Sequence, residues 1–162
     1  MKQYITGFIT AVCLTASVFM FVGAQNKKLG DIIADSITLV GENGYTVITD
    51  GLLATYNADR KKTAYLGTGE GGEGFIETSN ADGKKTAYLG TGEDDNGHLE
   101  TYNADGKMSA YLGSAKSGNG FLETFNNHGV KTGYFGTGKD NDGIIGLCDR
   151  YGDMGWAARG KK

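Results

Sequence analysis

Apolar and polar residues alternate along most of the chain beyond residue 30, and the alternation recurs with a period of 23 residues. Four clear copies begin at Ala54, Glu77, Glu100 and Glu123, and they read ATYNADRKKTAYLGTG, ETSNADGKKTAYLGTG, ETYNADGKMSAYLGSA and ETFNNHGVKTGYFGTG. A degenerate fifth copy begins at Gly146. Self-similarity at a fixed period indicates that every unit adopts the same shape.

Each unit has the pattern of a β-hairpin. A short run such as residues 75–79 is followed by the turn formers of residues 80–83 and by a second run, residues 84–90. An Asp-Gly pair between two such runs is a strong hairpin signal, because glycine adopts a positive φ at no steric cost. The next connection, residues 92–97, is again rich in turn formers, and no apolar period of 3.6 follows residue 30. The sequence predicts an all-β fold, an antiparallel β-hairpin array (meander), with a β-solenoid as the alternative.

The array has atypical ends. Residues 52–145 hold the four 23-residue units, and residues 146–162 hold the degenerate fifth unit, which contains Trp156. Residues 25–51 are interpreted as a linker and one further hairpin, with strands near residues 37–40 and 45–48. Repeat arrays need such caps because they protect the exposed edges.

The N-terminal segment is apolar: residues 4–24 form a run of 21 without a charged side chain. A helix of that length spans about 30 Å, the thickness of a bilayer core. The run is longer than the apolar part of a signal peptide, yet residues 22–24 have the small-residue pattern of a cleavage site before Gln25. Lysines at positions 2 and 27–28 flank both ends, so a cleaved signal and a membrane anchor both remain open. Either interpretation predicts an extracytoplasmic protein, secreted or held at the membrane by this segment.

Side chains in a strand point alternately to two faces, and here both faces are apolar. Ala87 and Leu89 are expected on one face, and Thr86 and Tyr88 on the other. Burying a Leu or Phe side chain contributes roughly 1.5–3 kcal/mol, which is large beside a domain stability of about 5–15 kcal/mol. At least one face must therefore be covered, by a partner chain or by the chain itself in a solenoid. For the meander we predict a homo-oligomer.

The regularly spaced aromatic side chains are the strongest candidates for ligand contact. They are Tyr56, Tyr65, Tyr88, Tyr102, Tyr111, Phe125 and Tyr134. Exposed tyrosines can stack on sugar rings, which makes a glycan the alternative partner. A tyrosine column is more often cross-strand packing, worth about 0.2–1 kcal/mol per pair.

Charge and chemistry exclude several classes of function. A net charge of −3 argues against a nucleic-acid partner, because binding phosphates needs clustered Lys and Arg. Cys13 lies in the apolar run, so Cys148 is alone in the remainder and no disulfide framework is expected. His98 and His128 have no Ser, Cys or Asp companion at a fixed repeat offset. We therefore predict no catalytic residues, no metal site and no cofactor, and a protein that is not an enzyme.

One glycine-rich turn and two acidic turns match ligand motifs only in part. Residues 67–72 fit G-x-G-x-x-G, but a dinucleotide site needs a following helix and a strand is expected here. The acidic turns at residues 93–96 and 140–142 offer oxygen ligands of the kind calcium takes. The corresponding turns at residues 70–73 and 116–119 are less acidic, which favours ordinary solvated turns.

The motif Tyr-Asn-Ala-Asp-Gly-Lys followed by Ala-Tyr-Leu-Gly, behind an apolar segment, resembles uncharacterised membrane-anchored bacterial β-repeat proteins. That resemblance covers most of the chain and implies a place in the cell envelope, with no known activity. Parts of the unit are similar to choline-type cell-wall-binding, MORN and YD repeats. Trp156 is the one tryptophan, the Tyr-x-Gly-x-Trp pattern of MORN units is missing, and YD arrays are far longer. No functional residue carries over from these families.

Together these patterns predict a non-catalytic extracytoplasmic structural or interaction module that self-associates. The alternative is a carbohydrate or cell-wall-binding repeat module that uses its aromatic column.

Overall fold

The computed structural model describes residues 2–25, 34–92 and 94–160, with backbone alone for residues 2–3 and 18–25. These residues belong to two compact units that divide after Ala34. The predicted linker with its two lysines (residues 26–33) and Glu93 of the acidic turn lie outside the described residues.

The first unit contains one helix, α1 (Lys2–Gln25), as the uncharged run predicts. The hydroxyls of Thr10, Thr15 and Ser17 donate to backbone carbonyls one turn earlier, at 2.8–2.9 Å. Within the described residues, no helix combines the length and the apolar character needed to cross a membrane.

The second unit is one sheet of twelve strands in sequential order, and each strand pairs antiparallel with its chain neighbours. The strands are β1 (Ser36–Gly41), β2 (Gly44–Thr49), β3 (Leu52–Asn57), β4 (Lys62–Thr68), β5 (Gly74–Ser79), β6 (Lys85–Thr91), β7 (Gly97–Tyr102), β8 (Met108–Ser114), β9 (Gly120–Phe125), β10 (Lys131–Thr137), β11 (Gly143–Cys148) and β12 (Met154–Arg159). The predicted antiparallel meander is confirmed, and the chain does not coil as a solenoid.

Both turns of a unit share one geometry. In the turn after β5, the N–H of Asn80 donates to the carbonyl of Lys84 at 2.9 Å, and Gly83 adopts a φ of 82°. Asn80 Oδ1 accepts the backbone N–H groups of Asp82 and Lys84, at 3.1 and 3.0 Å. Asparagine is favoured here because its side chain satisfies backbone donors that the turn leaves unpaired. In the first 23-residue repeat, Arg60 occupies the position of this glycine and holds a φ of 60°, at a cost of roughly 1–2 kcal/mol.

A β-bulge at the start of each even-numbered strand from β4 to β12 changes the predicted faces. Thr78 pairs with Ala87 and Ser79 pairs with Lys85, so Thr86 is the extra residue. The hydroxyls of Thr86 and Thr78 lie 2.9 Å apart, which places Thr86 on the same face as Ala87. The expectation that Thr86 shares a face with Tyr88 is therefore wrong. The bulge instead turns Lys85 toward the tyrosine face.

The sheet has almost no enclosed core. Among the described residues, Ala54 is the one apolar side chain that is fully buried. A single layer of strands leaves both faces in contact with solvent, so the contacts that stabilise it lie along the rows of each face.

Candidate functional site

The first surface of interest, the aliphatic face, carries a row of apolar side chains that face one another across successive strands. This row is Leu66, Ile76, Leu89, Leu99, Leu112, Leu122, Phe135 and Ile145. These eight side chains are between 36% and 61% exposed. The row therefore forms a continuous apolar ridge that the sheet itself leaves uncovered.

The surroundings of the ridge are small and uncharged. Ala87 and Thr91 flank Leu89 on its strand, and Gly97 and Thr101 flank Leu99 on the next. In the described strands, the register places every charged side chain on the opposite face. An uncharged face with an apolar ridge is typical of sheets that pack against another sheet.

The second surface, the aromatic face, carries a continuous stack of seven rings. Neighbouring ring centroids lie 4.7–5.8 Å apart, with interplanar angles of 7–24°. The stack is Tyr65, Phe75, Tyr88, His98, Tyr111, Phe121 and Tyr134. Such stacked pairs stabilise beyond their buried area by about 0.5–1.5 kcal/mol each.

The glycine of each Tyr-Leu-Gly triplet makes the stack possible. Gly90 pairs with Phe75, and the ring of Tyr88 lies over Gly90. A Cβ atom on Gly90 would lie 2.7 Å from the Phe75 Cβ and 2.7 Å from the Tyr88 hydroxyl. Because the glycine has no side chain, the tyrosine ring can lean into line with the rings of the adjacent strands.

The predicted aromatic residues divide between the stack and its flank. Tyr65, Tyr88, Tyr111 and Tyr134 lie in the stack. Tyr56 stacks on Tyr45 at 4.6 Å, Tyr102 bonds to Glu100, and Phe125 pairs with Lys131. Between Phe75 and Phe121, neighbouring rings lie on both flat faces of each ring, which are the surfaces that a sugar would need. The end members of the stack, Tyr65 and Tyr134, have a neighbouring ring on one side only.

Sequence reasoning missed the second half of the stack. Phe75, His98 and Phe121 recur at 23-residue spacing, each directly opposite a glycine of the neighbouring strand. That spacing was a usable signal. It puts His98 in one column with Phe75 and Phe121, which indicates a packing role for that histidine.

Carboxylates and ammonium groups form a third row on the aromatic face. Glu77 lies 3.3 Å from both Lys62 and Lys85, and Glu123 lies 2.9 Å from Lys131. The glutamate side chains are only 16–20% exposed. Ion pairs at such partly buried positions are screened less than surface pairs.

Glu100 has different partners. Its carboxylate accepts the hydroxyl of Tyr102, and its Oε1 lies 3.5 Å from His98 Nε2. Burial, and then this hydrogen bond to Glu100, raise the pKa of Tyr102 well above its ordinary value. Burial also raises the pKa of Tyr88 and Tyr111.

These raised tyrosine pKa values predict a loss of stability at alkaline pH. The native state holds phenolic protons that the unfolded chain releases, so stability should be fully present below about pH 10 and fall as the pH rises beyond it. Thermal unfolding followed by circular dichroism over an alkaline pH series measures this fall. The Tyr102→Phe variant should lose stability less steeply than the parent protein, and an identical slope for the two proteins would contradict the assignment.

The other sequence motifs lie in turns. Residues 67–72 end β4 and enter a turn that is followed by β5, not by a helix. Within the described residues, no group of three or more acidic, histidine or cysteine side chains is arranged to hold a metal ion. His128 lies in the turn before β10, where its N–H donates to Asn126 Oδ1 at 2.9 Å.

The fold and its two faces define a β-hairpin repeat protein with one open meander sheet. No family model and no curated protein matches the chain. A crystal structure of a mutant of S. aureus TarM in complex with fondaparinux, alpha-GlcNAc-glycerol and UDP is 16% identical, with a TM-score of 0.37, over 75% of this chain and 22% of that chain. A second crystal structure of TarM is 16% identical, with a TM-score of 0.36, over 74% of this chain and 22% of that chain. This chain thus spans about a fifth of the length of these structures, and the likeness defines neither its fold nor its function.

Proposed function

We propose that this protein is a non-catalytic structural or interaction module that self-associates through its aliphatic face. The observation that carries the proposal is the exposed row of eight apolar side chains on a face without charge. The same chain concentrates its strand charges on the other face. Two copies can therefore bring their aliphatic faces together without burying an unpaired charge.

The apolar area of the ridge is large enough to matter. Removing the exposed halves of eight such side chains from water contributes on the order of 10 kcal/mol per chain. Association costs about 4–15 kcal/mol in lost translational and rotational freedom. Since both copies contribute a ridge, face-to-face packing is favourable. Sheets that pack in this way lie about 10 Å apart with interdigitating side chains.

The proposal includes an extracytoplasmic location, with residues 4–24 as a signal peptide or a membrane anchor. It is supported by the uncharged run of 21 residues, which forms a helix. A protein of this kind would display or space a surface at the cell envelope. The packing of His98 between Tyr88 and Tyr111, with ring centroids at 5.1 and 5.2 Å, supports a non-catalytic role for that histidine.

Glycan binding by the aromatic face is the second candidate and has less support. A polar ligand could reach the edges of the stacked rings and the groove beside Tyr88. This groove is lined by Glu73, Lys85 and Asp95. Tyrosine fluorescence titrated with envelope polysaccharides tests this candidate, and a saturable shift would favour it.

The mass of the protein in solution tests self-association. Light scattering behind a sizing column should give at least twice the chain mass of 17.1 kDa. A folded monomer at every concentration would contradict the proposal, since it would show that the aliphatic face stays open to water.

A further inference from the structure

Three repeat units hold a lysine at the same position of the aromatic face, and in two of them the ammonium lies over a tyrosine ring. Lys62 Nζ lies 4.9 Å from the centroid of the Tyr65 ring and 3.3 Å from Glu77. Lys85 Nζ lies 5.0 Å from the centroid of the Tyr88 ring and 3.3 Å from the same carboxylate. Each ammonium group thus combines a cation–π contact with an ion pair.

The third unit has the same position without the cation. Met108 pairs with Tyr102 at the bulge, as Lys85 pairs with Ser79 and Lys131 with Phe125. The register therefore places Met108 in the lysine column. Its thioether carries no charge and donates no hydrogen bond.

A cavity of about 570 Å³ lies beside Met108. It is lined by Glu100 and Glu123, the aromatic rings of Tyr111, Phe121 and Phe125, and Lys107. Lys85 shows what such a space accommodates, because its ammonium lies near the ring of Tyr102 at 5.5 Å as well as near that of Tyr88. Tyr111 and Phe125 are the corresponding pair of rings in the third unit.

Glu100, which lines this cavity, forms no ion pair with a lysine or arginine of the described residues. Lys85 is paired with Glu77 and Lys131 with Glu123. The Cδ of Lys107 lies against the turn at Gly129. Among the described residues, no lysine or arginine nitrogen lies within ion-pair distance of Glu100, whose side chain is 16% exposed.

The electrostatic environment of Tyr111 agrees with a missing cation. Burial raises the pKa of Tyr111, and the carboxylates of Glu100 and Glu123 raise it further. For Tyr88, by contrast, the ammonium of Lys85 lowers the pKa and opposes the effect of burial. No ammonium group of the described residues lowers the pKa of Tyr111 in this way.

We propose that the cavity beside Met108 binds a primary alkylammonium group, which takes the place that the lysine ammonium holds in the neighbouring units. The ammonium donates hydrogen bonds to Glu100 and Glu123 and lies over the ring of Tyr111, while its alkyl chain packs on Met108 and Phe125. The expected ligand class is a small aliphatic amine with an unbranched terminal –CH₂–NH₃⁺ group. This inference is independent of self-association, which uses the opposite face.

The first experiment titrates the full-length protein with n-butylammonium by calorimetry. We expect one saturable site per chain with a dissociation constant on the order of 10 mM, as follows from one ion pair and one cation–π contact. Met108→Lys restores the lysine of the other units and should weaken binding at least tenfold. Met108→Leu keeps an apolar side chain of similar volume and should bind as the parent protein does. Absence of saturable binding, or equal binding by the Met108→Lys variant, would overturn the proposal.

A gain-of-function variant makes the test independent of damage to the fold. Lys85→Met removes the ammonium that is paired with Glu77 and should create a second site over Tyr88, raising the stoichiometry from one to two. Circular dichroism of this variant verifies that the sheet is intact. A folded Lys85→Met variant that still binds one equivalent would show that the vacated lysine position is not the binding determinant.

Discussion

Replacing Gly90 with alanine should destabilise the sheet by about 1–3 kcal/mol, the usual cost of forcing extra volume into a packed site. The new Cβ would lie 2.7 Å from the Phe75 Cβ, 2.7 Å from the Tyr88 hydroxyl and 2.8 Å from its ring. The tyrosine ring must then leave the line of stacked rings, so the variant loses ring contacts on both sides. Thermal or urea unfolding followed by circular dichroism measures the change.

Gly74 provides the matched control for this prediction. It begins the strand that pairs with Gly90's strand, and a Cβ atom there would meet no heavy atom within 4 Å. Gly74→Ala should therefore be neutral or stabilise by up to about 1 kcal/mol, because alanine loses less backbone entropy on folding. Equal destabilisation by the two substitutions would show that the tyrosine ring does not depend on the missing side chain.

The double variant Leu89→Lys, Leu112→Lys should dissociate the oligomer. Both side chains lie in the middle of the ridge and are 52% and 51% exposed in the single chain. Face-to-face packing would bury their ammonium groups without a partner, since the described charges of the strands lie on the opposite face. We expect the dissociation constant to rise by at least about a hundredfold, equivalent to about 2.7 kcal/mol. Light scattering should then report a monomer with an unchanged circular dichroism spectrum.

A charge-matched variant separates this effect from a general effect of net charge. Ala81→Lys with Ala104→Lys adds the same two charges at exposed turn positions. This variant should keep the mass of the parent protein. Dissociation of both double variants would point to charge repulsion between chains, and dissociation of neither would exclude the ridge as the interface.

The hairpins and their order could be predicted from the sequence because they depend on local signals. The turn at residues 80–83 can be predicted from Asn80 and Gly83, whose roles are local. The Asn80 side chain accepts a hydrogen bond from the backbone of its own turn, and Gly83 adopts a positive φ. Because a turn follows about every dozen residues, consecutive strands are joined by short connections and pair with each other. The meander follows from that.

The faces were harder to predict because they depend on contacts between strands. Simple alternation places Thr86 and Ala87 on opposite faces of the sheet. A bulge inserts one extra residue into one strand of a pair, so it depends on the register between the two strands and puts Thr86 on the face of Ala87. The lean of Tyr88 over Gly90 likewise requires the register with Phe75. The sequence also does not indicate which of the two apolar faces stays exposed. The aromatic side chains cover one another, whereas Leu89 and its row do not.

The pairing of each strand with its chain neighbours alone has a consequence for how this sheet forms. Almost every contact joins residues fewer than about two dozen positions apart, so little loop-closure entropy opposes any single step. Folding can start at any hairpin and spread outward strand by strand, and unfolding can begin by fraying at β1 or β12 while the centre persists. The length of the array is thus open to change by whole units, because removing one unit and joining its neighbours recreates the same junction.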